Sequence, residues 1–130
     1  FGQRLNCSSM SKILTIEDEK ELRETLADIL EVSGYTVYQA ADGLEGIKMY
    51  NSQAPNLVIC DINMPKMDGF ECFKTLKAQV AESEFPPFIF LTAKTKEEIV
   101  SEGIDIDAVD FVAKPYSAAE LLKLVELRLR

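Results

Sequence analysis

Histidine is absent from this 130-residue chain. Its absence removes Ser-His-Asp and Cys-His nucleophile machinery and any zinc centre built on histidine. Cysteine is scarce, with Cys7, Cys60 and Cys72 the three present. An odd number, one of them inside an apolar run, points to reduced thiols in a cytoplasmic protein rather than a disulfide framework. No apolar run approaches the roughly 18 residues that a membrane-spanning helix needs. Basic residues are outnumbered 14 to 22 and the net charge is -8. Direct binding of nucleic acid or of a membrane surface by this domain is therefore not expected. Neither Gly-x-Gly-x-x-Gly nor Gly-x-x-x-x-Gly-Lys-Ser/Thr follows the first apolar strand, so a dinucleotide site or a nucleotide P-loop is unsupported.

What remains is an ordinary globular composition, 47% apolar and 28% charged, in a length that suits one domain with a real core. Residues 1–9 show no periodicity and no apolar core of a signal peptide. Met10 reads as a native start, with residues 1–10 a flexible lead-in or vector-derived segment and residues 11–130 the domain.

The periodicity alternates. Ile13–Ile16 is a short apolar strand running into Glu17-Asp18-Glu19. Leu22, Leu26, Ile29 and Leu30 then share one face of a helix from Glu19 to about Val32, which Gly34 ends. A second strand covers roughly Thr36–Ala40, and Asp42 is placed to cap a helix carrying Leu44, Ile47 and Tyr50 on one side. Leu57–Cys60 is a third, wholly apolar strand with Asp61 at its end, followed by Met64-Pro65 and Asp68-Gly69 turn signals. Asp68 can cap a helix with Phe70, Phe73, Leu76 and Val80 inward. Phe88–Leu91 is a fourth apolar strand, ending in Thr92. A polar helix from Lys96 to about Ile106 leads to a fifth strand at Val109–Ala113, ending in Lys114-Pro115. Ser117 caps a last helix with Leu121, Leu122, Val125 and Leu129 on its buried side.

Continuous apolar strands alternating with amphipathic helices predict an α/β, doubly wound fold: a five-stranded parallel sheet covered on both faces. Right-handed crossovers favour the flavodoxin-like order 2-1-3-4-5. In that order the carboxyl ends of the strands share one edge. Glu17, Asp18, Asp61, Thr92 and Lys114 should therefore converge.

At about 4 Å and an effective dielectric near 20, each carboxylate pair opposes by roughly 4 kcal/mol. Such a cluster either holds a proton or holds a cation. Oxygen ligands without histidine or thiolate suit Mg²⁺, with Mn²⁺ an alternative, and the main-chain oxygen of Asn63 could add to the set. A lysine and a hydroxyl aimed at the same point suit a phosphoryl group. Asp61 would then be the nucleophile that accepts it.

The segments Ile-Glu-Asp-Glu (16–19), Cys-Asp-Ile-Asn-Met-Pro-Lys-Met-Asp-Gly (60–69), Leu-Thr-Ala-Lys (91–94) and Asp-Phe-Val-Ala-Lys-Pro (110–115) stand in this order at strand ends. Together they closely resemble a response-regulator receiver domain, the phosphoacceptor half of two-component signalling, over about Lys12 to Arg130. The resemblance implies a signalling domain rather than an enzyme, one that promotes its own phosphorylation and dephosphorylation. Its implied partners are a sensor histidine kinase or phosphotransfer protein, whose phosphohistidine supplies Asp61, and an output domain or protein that the sequence does not name.

By the same resemblance, Asp18, Asp61 and the main-chain oxygen of Asn63 would hold Mg²⁺, with Glu17 acting through water. Thr92 would be the switch hydroxyl, Lys114 the phosphoryl partner and Pro115 the site of a cis peptide bond. Phe111 would be the aromatic that turns inward when Thr92 shifts, altering the face made by the fourth helix, fifth strand and fifth helix. Two positions depart from the family pattern: Glu17 is one methylene longer than the usual aspartate, and Asp107 stands where relatives often end the fourth helix with glycine. Two other classes compete. A haloacid-dehalogenase-like phosphohydrolase wants a second aspartate where Asn63 stands, and an unreactive pseudo-receiver would not keep the acid cluster.

Overall fold

The computed structural model describes residues 11–103 and 109–130. The expected lead-in and Asp107 therefore lie outside the described residues. Five strands, β1 (Lys12–Ile16), β2 (Thr36–Ala40), β3 (Leu57–Asp61), β4 (Phe88–Thr92) and β5 (Asp110–Ala113), alternate with five helices. These are α1 (Lys20–Val32), α2 (Gly43–Gln53), α3 (Gly69–Gln79), α4 (Lys96–Ser101) and α5 (Ala118–Leu129), with one 3₁₀ turn at Glu82–Glu84. Every strand pair is parallel and the order is β2-β1-β3-β4-β5. The anticipated doubly wound sheet is what the chain forms.

Alternation along the buried strands divides the core into two layers. Leu57, Ile59, Ile89, Leu91 and Val112 face one way, against Leu26 and Leu30 of α1 and Leu121 and Val125 of α5. Val58, Cys60, Phe88 and Phe90 face the other, against Tyr50 of α2, Phe70, Cys72, Phe73 and Leu76 of α3, and Ile99 of α4. Both faces of β3 and β4 are buried along their whole length, which is why these strands read as unbroken apolar runs.

The helix starts follow their caps. Asp42 and Ser117 each accept a backbone N–H three residues on. Asp68 with Glu71 and Thr95 with Glu98 form complete capping boxes. Three expectations on the helices change. Leu22 and Leu44 are exposed rather than core-facing; α2 instead turns its glycine edge inward, with Gly46 packed against Ile16. α4 stops at Ser101 instead of running to about Ile106, because Gly103 takes a left-handed φ of 82°.

Candidate functional site

The carboxyl ends of β1, β3, β4 and β5 meet at one edge, and register sets who meets whom. Ile16 pairs with Cys60 and Asp61 pairs with Leu91, so Glu17 and Asp61 each lie one step beyond the β1–β3 pairing. Thr92 pairs with Ala113, and its carbonyl accepts the Lys114 N–H at 2.9 Å. That bond aims Lys114 back across the edge. Its Nζ lies 3.1 Å from Asp61 Oδ1 and 3.3 Å from Glu17 Oε1. The Lys114–Pro115 peptide bond is cis.

Carboxylate oxygens of Glu17, Asp18 and Asp61 lie within 4.8 Å of one another. Glu17 and Asp61 are buried while Asp18 is half-exposed, so two charges sit inside and one rims the opening. Burial first, and then the Asp61 charge, push the Glu17 carboxyl up to about 6, against the pull of the Glu19 N–H and of Lys114. Burial works against the Lys114 ammonium, but its hydrogen bond to Asp61 and the two facing charges outweigh that and hold it above its ordinary value. One lysine thus serves two buried acids, leaving the cluster with surplus negative charge.

The donor set suits a small hard dication: three carboxylates, no nitrogen and no sulfur, converging from two strand ends. The Cys60 thiol does not enter it; its S–H donates to the main-chain oxygen of Asp61 at 3.2 Å.

A family model described as the response regulator receiver domain matches residues 13–126. The chain belongs to the response-regulator receiver family. Receivers are signalling domains of two-component systems, and curated relatives agree. The chain is 39% identical to the transcriptional regulatory protein RprY of Bacteroides fragilis, over 92% of the chain and 49% of the relative. It is 37% identical to the alkaline phosphatase synthesis transcriptional regulatory protein PhoP of Bacillus subtilis, over 92% of the chain and 48% of that protein. The chain thus spans about half the length of these curated relatives. Among solved structures, the chemotaxis protein CheY4 of Vibrio cholerae superposes with a TM-score of 0.82 at 34% identity, covering 92% of this chain and 99% of that one. The signal receiver domain of a histidine kinase from Syntrophus aciditrophicus gives 0.82 at 31% identity, covering 92% and 90%.

Within this receiver, Glu17, Asp18, Asp61 and Lys114 come together directly. Thr92 is buried on the neighbouring strand, its hydroxyl accepting the Lys94 N–H at 2.9 Å. Asn63 lies in the exposed turn beyond Asp61. Phe111 is half-buried, set back along β5 and stacked on Phe90 with ring centroids 5.6 Å apart.

The supporting roles of three residues escaped the sequence reading, in which Gly69 figured only as a turn signal. Arg23 Nη1 donates to the main-chain oxygens of Glu17 and Asp18 at 2.9 and 3.3 Å, bracing the acid loop from the first turns of α1. Its only sequence signal is a cation a turn and a half beyond a run of acids. Gly69 lets α3 begin against the end of β3: a Cβ there would lie 2.5 Å from the Asp61 carbonyl oxygen. Tyr116, with Leu22, Thr25, Ile29 and Pro115, walls a largely apolar groove of about 430 Å³ that opens onto Glu17 and Lys114. Among the described residues no helix is long and apolar enough to cross a membrane.

Proposed function

We propose that Asp61 is the phosphoacceptor of this receiver, taking its phosphoryl group from the phosphohistidine of a sensor histidine kinase or phosphotransfer protein. The observation that supports this most is the convergence on Asp61 of one lysine at 3.1 Å and two further carboxylates. An Asp61 carboxylate oxygen attacks phosphorus, the P–N bond to the donor imidazole breaks, and its electron pair returns to the ring. An acyl phosphate remains on Asp61.

Each neighbour has a part. Lys114 neutralises Asp61 beforehand and a phosphoryl oxygen afterwards, without leaving the reach that the Thr92 carbonyl gives it. Burial of Asp61 keeps competing water away from its carboxylate. Asp18, Asp61 and the main-chain oxygen of Asn63, with Glu17 through water, are the groups to hold Mg²⁺, which Mn²⁺ could replace. When bound, such a cation supplies the positive charge that lets these acids and a phosphoryl group share one site.

Thr92 then leaves the Lys94 N–H for a phosphoryl oxygen, and Phe111 follows inward, changing the α4-β5-α5 face that an output partner reads. Residues 11–130 act as the receiver unit, working in the cytoplasm.

Acetyl phosphate with Mg²⁺ tests this reading. Intact mass should rise by one phosphoryl group, and Asp61→Ala should take up none while keeping its far-ultraviolet circular dichroism. Uptake by a folded Asp61→Ala chain would refute it.

A further inference from the structure

Three residues carry the chain from the end of β1 into α1, and all of them are acids: Glu17, Asp18 and Glu19. One residue donates to the main-chain oxygens of all three. Arg23 Nη1 donates to the oxygen of Glu17 at 2.9 Å and to that of Asp18 at 3.3 Å, and the Arg23 N–H donates to that of Glu19 at 2.8 Å. The last bond belongs to any helix start. The first two do not.

The choice of acceptor is the telling feature. A guanidinium beside a run of acids ordinarily takes a carboxylate, yet among the described residues Arg23 forms no ion pair. It also stands near the amino end of a helix, where the macrodipole disfavours a cation. Long side chains on a helix lean toward that end, which brings the half-buried Arg23 back over the acid loop. There it grips the main chain and takes none of the carboxylates. The Glu17 carboxylate goes instead to Lys114, and that of Asp18 gathers with those of Glu17 and Asp61.

We propose that Arg23 is a positioning residue for the cation site. By fixing the main chain of Glu17 and Asp18 it holds their carboxylates against Asp61, and so sets how tightly the site takes Mg²⁺. This rests on the reading of the three acids as a Mg²⁺ site; the brace itself does not.

Like charges gathered at one point push the loop apart. Four hydrogen bonds oppose them: the two from Arg23 Nη1, the Glu17 N–H to the Ala40 oxygen at 3.0 Å, and the Glu19 N–H to Glu17 Oε2 at 3.2 Å. Of these four, only one from Arg23 reaches Asp18, the half-exposed member that packing holds least.

The guanidinium acts on a bound cation in two opposed ways. Its charge repels a dication, and its bonds hold the acids ready for one. Removing it therefore tightens Mg²⁺ binding if charge dominates and weakens it if position does. Solvent screens a half-exposed charge, whereas groups that orient metal ligands typically change affinity about tenfold or more. Position wins. Lysine keeps the charge but lacks the planar fork, so Arg23→Lys separates the two effects.

The test titrates the 130-residue chain with Mg²⁺ in a calorimeter. Arg23→Ala and Arg23→Lys should both bind severalfold more weakly than the wild type. Phosphoryl uptake from acetyl phosphate by Arg23→Ala should slow by a similar factor at limiting Mg²⁺ and recover at saturating Mg²⁺, because Arg23 acts through the acids and not on Asp61. In EDTA, amide exchange at Glu17 and Glu19 should quicken severalfold in Arg23→Ala, while Ile59 within β3 stays as protected as in the wild type. Mg²⁺ binding unchanged or tighter in both variants would overturn the proposal. Slowing that persists undiminished at saturating Mg²⁺ would overturn the assignment to the cation site. If Ile59 exchanges freely in Arg23→Ala, that variant has lost its fold, and Arg23→Lys decides by the same affinity criterion. A wild type that takes up no Mg²⁺ would mark failure of the cation reading, with the exchange rates still deciding the brace.

Discussion

With Glu17 replaced by glutamine, this receiver should gain stability relative to the wild type as pH rises to neutral, in proportion to the strain of a buried acid facing another. The Glu17 side chain is almost fully buried, and its carboxyl sits at about 6 instead of 4.5, through burial first and the Asp61 charge second. Unfolded, it titrates at its ordinary value. Between about pH 4.5 and pH 6, then, the folded chain keeps a proton that the unfolded chain gives up. The resulting stabilisation is fully present below the unfolded value and is lost as pH rises through the folded one. A shift from 4.5 to about 6 corresponds to about 2 kcal/mol of stability lost by neutral pH.

The carboxylate accepts from Lys114 Nζ at 3.3 Å through Oε1 and from the Glu19 N–H at 3.2 Å through Oε2; Glu17→Gln keeps one of these two acceptors, which adds an offset independent of pH, and carries no charge. In EDTA, urea unfolding followed by circular dichroism should show the difference between variant and wild type changing with pH above about 4.5. From there to pH 7.5 the variant should gain about 2 kcal/mol on the wild type. Taking the difference between the two chains cancels the titrating groups that Glu17 does not touch, and Asp61 and Lys114 are the ones it does. A difference that stays flat across this range would refute the reasoning, whatever the sign of its offset.

Other perturbations follow from the same geometry. Gly69→Ala places a methyl 2.5 Å from a main-chain oxygen that cannot rotate away; a loss of about 1–3 kcal/mol is expected in urea unfolding, toward the upper end. Phe90→Ala empties the centre of a ring cluster that includes Phe70, Phe73, Phe88 and Phe111, and should cost about 3–5 kcal/mol by the same measurement. Mg²⁺ at ten times its dissociation constant should stabilise the wild type by about 1.4 kcal/mol, seen as a rise in Tm that EDTA reverses. Asp18→Asn should blunt that rise without lowering the Tm measured in EDTA.

Sequence reasoning reached the architecture because local signals agree at each strand and helix. Apolar runs that admit no solvent face imply a sheet covered on both sides, and Asp42, Asp68 and Ser117 announce their helices by chemistry that acts over three residues. Where two local signals compete, the pattern is less decisive. Leu44 shares helical spacing with Ile47, yet Gly46 packs closer to Ile16 and the helix rolls that way, leaving Leu44 in solvent. The end of α4 was set by Gly103, a nearer stop than the one sought at Asp107.

By itself, the order of residues determined which groups stand at strand ends, and hence that Glu17, Asp18, Asp61, Thr92 and Lys114 share an edge. Side-chain alternation and right-handed crossovers leave few other arrangements. Only the tertiary structure decided how they divide: Lys114 drawn onto both Asp61 and Glu17, Thr92 held by Lys94, and Arg23 bracing the acid loop. Such distances are fixed by packing between segments far apart in the chain, and no local periodicity encodes them.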